Sequence, residues 1–169
     1  MAVVFISGLS GTGKSTIVDF FSCNPVDGWQ FYDYDKGKFP VPPNESEHLV
    51  WRKNQSEYWL KVALENAKNN INTCVLGMAL YPENTYKLPS AQYFGDNIHF
   101  ALIDCSDEER KKRLFDRGTP HHWQGEKDFY TEFRKVNAEH SNKVFDTTCK
   151  TVEQTAGEIE NWLKELNGN

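Results

Sequence analysis

The run Gly8-Leu-Ser-Gly-Thr-Gly-Lys-Ser-Thr16 sets the tightest constraint on what this chain can fold into. It meets the spacing G-x-x-x-x-G-K-[ST] through Gly8, Gly13, Lys14 and Ser15, and it directly follows the apolar stretch Ala2 to Ile6. Such a loop holds polyphosphate through converging backbone N–H groups, so glycines must stand where a side chain would block the approach. The helix that follows adds its own unpaired N–H groups and the positive end of its dipole. The pattern therefore asks for a strand before it and a helix after it, the opening unit of an alternating α/β fold. Gly8, Ser10, Gly11, Thr12, Gly13, Lys14, Ser15 and Thr16 are the candidate nucleotide-binding residues. Lys14 is expected on the β/γ-phosphates and the Ser15 hydroxyl on Mg²⁺.

The rest of the chain continues the alternation. Val3 to Ser7 reads as a buried strand, Lys14 to about Ser22 as a helix ended by Asn24-Pro25, and Trp29 to Asp33 as a second strand. Three prolines between Gly37 and Pro43 exclude regular helix or central strand there. Val50, Tyr58, Trp59, Val62, Ala63 and Ala67 recur at helical spacing in a long helix from about Glu47 to Asn69. Thr73 to Met78 and Ile98 to Asp104 are short apolar runs of buried-strand character. Ser106 with Glu109, and Thr151 with Gln154, form capping-box signatures for a helix through Arg117 and for a terminal helix. Between them, residues 118–140 read as a loop followed by a helix from about Lys127. Strand and helix in turn imply a mostly parallel sheet covered on both faces.

At 169 residues one domain is expected. The formal charge of −5 argues against bulk binding to nucleic acid or an anionic membrane. No segment approaches the ~18 apolar residues of a membrane span, and the N-terminus lacks the cationic region of a signal peptide, so a soluble cytoplasmic protein is expected. Cys23, Cys74, Cys105 and Cys149 lie far apart without CxxC spacing, which points to reduced, mostly buried thiols rather than zinc or redox chemistry. The DxxG motif of switch GTPases is absent, and Asn142-Lys143 is followed by its aspartate one residue too late for NKxD.

A second motif, Tyr32-Asp33-Tyr34-Asp35, falls where the second strand ends. In a parallel sheet the carboxyl ends of the strands face the ligand crevice, so these carboxylates are expected to open onto the crevice that holds the phosphates. Residues i and i+2 of an extended segment point the same way. Asp35, further out, is the candidate base for an acceptor hydroxyl, and Asp33 the candidate metal-side partner through water.

The loop at Gly8, the Asp-x-Asp after it, the stretch Cys105-Ser-Asp-Glu-Glu-Arg-Lys-Lys-Arg-Leu-Phe-Asp-Arg117 and Phe145-Asp-Thr-Thr148 together resemble the small P-loop kinases typified by shikimate and gluconate kinases. The resemblance implies a three-layer α/β fold with a five-stranded parallel sheet in the order 2-3-1-4-5 and a mobile lid at about residues 117–140. It also implies MgATP-dependent phosphorylation of a small hydroxylated molecule. By the same resemblance Arg113 packs on adenine, with Asp146-Thr147-Thr148 opposite. The family's lid arginine has no counterpart near Pro120-His121-His122, which leaves Arg117 or Arg134 to supply the charge. Gly77, at the end of the third strand, is read either as room for the acceptor or as a plain strand-end glycine.

Aromatic residues make up 14% of the chain, so the location of the rings matters. Trp51, Tyr58, Trp59, Phe39 and Tyr81 suit either a core or the wall of an acceptor crevice, with core packing favoured. Arg52 and Lys53 are candidate anchors for an acidic group, while His121 and His122 lack ligand-spaced partners for a metal. Two other readings stay open: a kinase acting on a nucleoside or a nucleic-acid 5′-end, and a non-catalytic nucleotide-binding regulator. Oligomeric state leaves no mark in the sequence.

Overall fold

Every residue of β1 (Val3–Ser7) is buried, which places this strand at the centre of a sheet covered on both faces. A computed structural model describes residues 1–123 and 127–167. Its strands β1, β2 (Trp29–Asp33), β3 (Asn72–Gly77), β4 (Ile98–Asp104) and β5 (Lys143–Asp146) form one sheet in the order β2-β3-β1-β4-β5. All four pairings are parallel, with Val3 opposite both Thr73 and Ile98. The helices are α1 (Lys14–Cys23), α2 (His48–Lys68), the single turn α3 (Pro82–Thr85), α4 (Asp107–Asp116), α5 (Lys127–His140) and α6 (Val152–Asn167).

Successive side chains of a strand point to opposite faces, and β1 divides its residues accordingly. Val4 and Ile6 join Ile17, Val18 and Phe21 of α1, Phe31 of β2 and Ile159, Trp162 and Leu163 of α6. Val3 and Phe5 join Trp59, Leu60 and Ala63 of α2 together with Phe94 and Phe100. Phe21 stacks on Phe31 with ring centroids 4.0 Å apart. A third, smaller cluster of Leu9, Leu102 and Phe133 packs α5 beside the start of the phosphate loop.

The expected five-stranded parallel sheet, its strand order and its cover of helices are those observed. The rings of Trp51 and Trp59 lie in the core, and Phe39 and Tyr58 pack against it. Cys74 and Cys105 are buried but Cys23 and Cys149 are exposed, so only half of the thiols follow the expected burial. No described helix is long and apolar enough to cross a membrane.

Candidate active site

The turn from β1 into α1 is held by its own backbone. Gly11 and Gly13 take φ values of +91° and +98°, a region that side-chain-bearing residues rarely enter. Gly8 is required for space, since a Cβ there would lie 2.6 Å from Ile103 Oand 2.7 Å from Thr12 Oγ1. The Leu9 carbonyl accepts three hydrogen bonds, from Thr12 N (3.3 Å), Thr12 Oγ1 (2.9 Å) and Lys14 Nζ (2.6 Å). Ser15 and Thr16 open the helix on the exposed side and line a cavity of about 390 Å³ with Gly8, Ser10, Gly11, Gly13 and Lys14.

Across that cavity stand Asp35, Arg52, Met78, Arg117 and His122. The second carboxylate is placed differently from expectation. β2 ends at Asp33, and Tyr34 to Lys36 form a 3₁₀ turn in which Asp33 Oδ1 accepts a hydrogen bond from Asp35 N at 3.1 Å. The two carboxylates therefore do not lie on one extended segment. Asp33 caps the turn and also meets Lys36 Nζ at 3.6 Å, while Asp35 faces the phosphate loop. The turn competes with the strand because an Asp side chain can satisfy the backbone two residues on.

Tyr34, unremarked in the sequence, fixes this turn. It is wholly buried, its hydroxyl donates to Arg52 O at 2.8 Å and pairs with Ser56 Oγ at 2.9 Å, and its carbonyl accepts from Gln55 Nε2 and Trp59 Nε1. One residue thus ties the Asp33–Asp35 turn to the α2 segment that carries Arg52. The only sequence trace is an aromatic ring between two aspartates. Gly77 belongs to this arrangement: a Cβ there would stand 2.1 Å from Tyr34 Cβ, so its empty side is filled by Tyr34 and offers no room to an acceptor. Gly77→Ala is expected to cost about 3 kcal/mol, the upper end for overpacking, and to lower Tm by on the order of 10 °C. An unchanged melting curve would contradict this packing.

Arg52 reaches the cleft with Nη2 2.9 Å from Met78 Sδ, and its guanidinium lies 6.0 Å from the Phe129 ring. A broader cavity of about 720 Å³ continues from there past Glu45, Leu49, Phe129 and Tyr130. The two arginines left open by the sequence are separated by the fold. Arg117 Nη2 donates to Ser10 Oγ at 2.9 Å, at the mouth of the phosphate loop. Arg134 is bound instead to Asp104, Asp107 and the Cys105 carbonyl. Arg113 donates to Thr147 Oγ1 and O, at 2.9 and 2.8 Å, and pairs with Glu109. With Thr12, Gly13, Ile17, Thr147 and Val152 it lines a separate hollow of about 210 Å³ behind the loop.

Burial pushes the Lys14 ammonium down from 10.5 to about 8, against the pull of Asp35 and Asp33, and Arg117 and Arg110 add to the depression. Asp35 is open to the cleft, yet the protein around its carboxyl withholds water and raises it above the ordinary carboxylate range. The charge of Asp33 raises it further, opposed by Lys14 and Arg52. A polyphosphate binds the charged form of Lys14 more tightly, so affinity is expected to fall as pH rises through about 8, approaching tenfold per pH unit above it. Binding near that pH takes up a proton. Calorimetry of nucleotide binding in buffers of different ionisation enthalpy measures both effects.

Among the described residues, no group of three or more His, Cys, Asp or Glu side chains could hold a metal unaided. A hydroxyl and nearby carboxylates do suit Mg²⁺, which keeps several waters and takes its remaining oxygens from phosphates.

A glycine loop between the central strand and first helix of a parallel sheet ordered β2-β3-β1-β4-β5 defines a P-loop nucleotide-binding protein of kinase-like fold. A family model described as AAA domain matches residues 4–142, and the chain belongs to that family. Among solved structures, shikimate kinase from Aquifex aeolicus vf5 is similar at a TM-score of 0.61 and 19% identity, over 98% of this chain and 97% of that one. The Deinococcus radiodurans tunicamycin resistance protein is similar at a TM-score of 0.63 and 13% identity, over 96% and 95%. A sugar kinase from a Janibacter species is similar at a TM-score of 0.58 and 18% identity, over 97% and 95%. No curated protein sequence matches the chain.

Proposed function

We propose that this protein is a Mg²⁺- and ATP-dependent phosphotransferase that moves the γ-phosphoryl group to a hydroxyl of a small molecule. The observation that carries the reading is Asp35, a carboxylate opposite the phosphate loop across a cavity with room for an alcohol. A protein that only senses nucleotide has no use for a base in that place. The shikimate and sugar kinases of similar fold support the same class.

Lys14 and the loop amides hold the β- and γ-phosphates, and Arg113 with Thr147 forms the wall of the adenine site. Ser15 would hold Mg²⁺, with Asp33 as its partner through water, and the ion would supply neutralisation of the phosphate charge. Asp35 accepts the hydroxyl proton as the acceptor oxygen bonds to the γ-phosphorus, the bond to the β-phosphate oxygen breaks and ADP leaves. Arg117, beside Ser10, meets the transferring group, and the described parts of the expected lid, residues 117–123 and 127–140, close over the site to exclude water, while residues 124–126 of that lid lie outside the described residues. Arg52 anchors an anionic group of the acceptor, whose body extends along Met78 and Phe129. A free small molecule is the acceptor favoured by a net charge of −5, which argues against bulk binding to a nucleic acid.

A screen of hydroxylated metabolites and nucleosides for acceptor-dependent ADP formation tests the reading, with Lys14→Ala as the control. Acceptor-dependent turnover lost in the control supports it. Tight nucleotide binding with no turnover on any acceptor would favour a regulator instead.

A further inference from the structure

Arg110 stands in the middle of α4 and is only 1% exposed, although the charged run Asp107 to Arg113 around it has the composition of a solvated face. Its Nε and Nη1 are buried without a hydrogen-bond partner among the described residues. A buried cation is ordinarily paired, because both its desolvation and its unmade donors are costly. Here the guanidinium is covered by two rings instead, with the Tyr130 centroid at 4.3 Å and the Trp123 centroid at 4.7 Å. Asp107, one turn earlier on the same helix, is engaged by Arg134 at 2.6 Å. The stem of Arg110 runs beneath the phosphate loop, where a Cβ on Gly11 would lie 3.1 Å from its Cγ.

Resting on the reading of the loop as a nucleotide site, we propose that Arg110 is a positioning residue for the nucleotide: a buried positive charge behind Gly11 that acts on the polyphosphate through the loop and is kept from water by Trp123 and Tyr130. A desolvated charge is weakly screened, so its field reaches further than that of an exposed lysine. The coupling is reciprocal: a polyanion at the loop offsets the cost of burying Arg110, and so favours the packing of Trp123 and Tyr130 on α4.

The test is ATP binding by calorimetry across a salt series, with the full chain and the variants Arg110→Met, Arg110→Lys and Trp123→Leu. Arg110→Met is expected to melt no lower than the parent and to bind ATP about tenfold more weakly. Arg110→Lys regains most of the affinity. Trp123→Leu admits water to the guanidinium, so ATP binding weakens and falls more steeply with salt. A folded Arg110→Met variant with parental affinity and salt dependence overturns the proposal. If that variant does not fold, parental affinity and salt dependence in Trp123→Leu overturn it. A parent chain that binds no ATP removes the nucleotide site itself, and this role with it; parental binding with inert variants removes only the role of Arg110.

Discussion

Replacing Lys14 by Ala is expected to lower acceptor-dependent ADP formation about a thousandfold, the upper range for losing one preorganised donor to a developing charge. The chain stays folded, for two reasons. The Leu9 carbonyl that receives Nζ keeps its bonds from Thr12 N and Thr12 Oγ1, so the loop retains its closure. Removing the ammonium also removes a charge whose desolvation the protein sustains only partly against Asp35 and Asp33. The thermal melt of the ligand-free variant is therefore expected at or above that of the parent, while the stabilisation the parent gains from added nucleotide shrinks. Turnover near the parental rate in a folded Lys14→Ala variant would remove the loop from the chemistry.

The loop was legible because each of its positions answers a local demand: Gly8 for space, Gly11 and Gly13 for positive φ, Lys14 and Ser15 at a helix start. β1, β3 and β4 were legible as continuous apolar runs, as strands buried on both faces must be. β5 was reached only through resemblance, since Phe145 is its one buried residue in four and no period can be read from that. The Asp33–Asp35 turn reads as extended in the sequence because its geometry is imposed by Tyr34, whose partners Arg52, Ser56, Gln55 and Trp59 lie 18 to 25 residues away. The choice between the two readings of Gly77 is hidden from the sequence for the same reason, its neighbour being that ring. Arg110 is a further case: in Asp-Glu-Glu-Arg-Lys-Lys-Arg nothing local separates the one buried charge from its solvated neighbours, and burial comes from Trp123 and Tyr130.

Asp35→Asn is expected to lower kcat by 10²- to 10⁴-fold, on the order of what a positioned base contributes, with ATP affinity near neutral pH changed far less. The amide keeps the shape of the side chain, and the cap of the turn is undisturbed because it is Asp33 that accepts from the residue 35 backbone. The pH profile separates a base from a structural acid. In the parent, turnover rises on the acid side as Asp35 loses its proton, at a pH above the ordinary carboxylate range because of desolvation and the charge of Asp33. Asp33→Asn removes that charge while keeping an oxygen for the cap, so the acid limb is expected to move to lower pH. Asp35→Asn abolishes the limb. It also withdraws the strongest charge favouring protonated Lys14, so the alkaline loss of nucleotide affinity moves below its parental position near pH 8. Parental kcat in Asp35→Asn, or an acid limb that survives it unchanged, would assign the proton to another group and leave the cleft without its base.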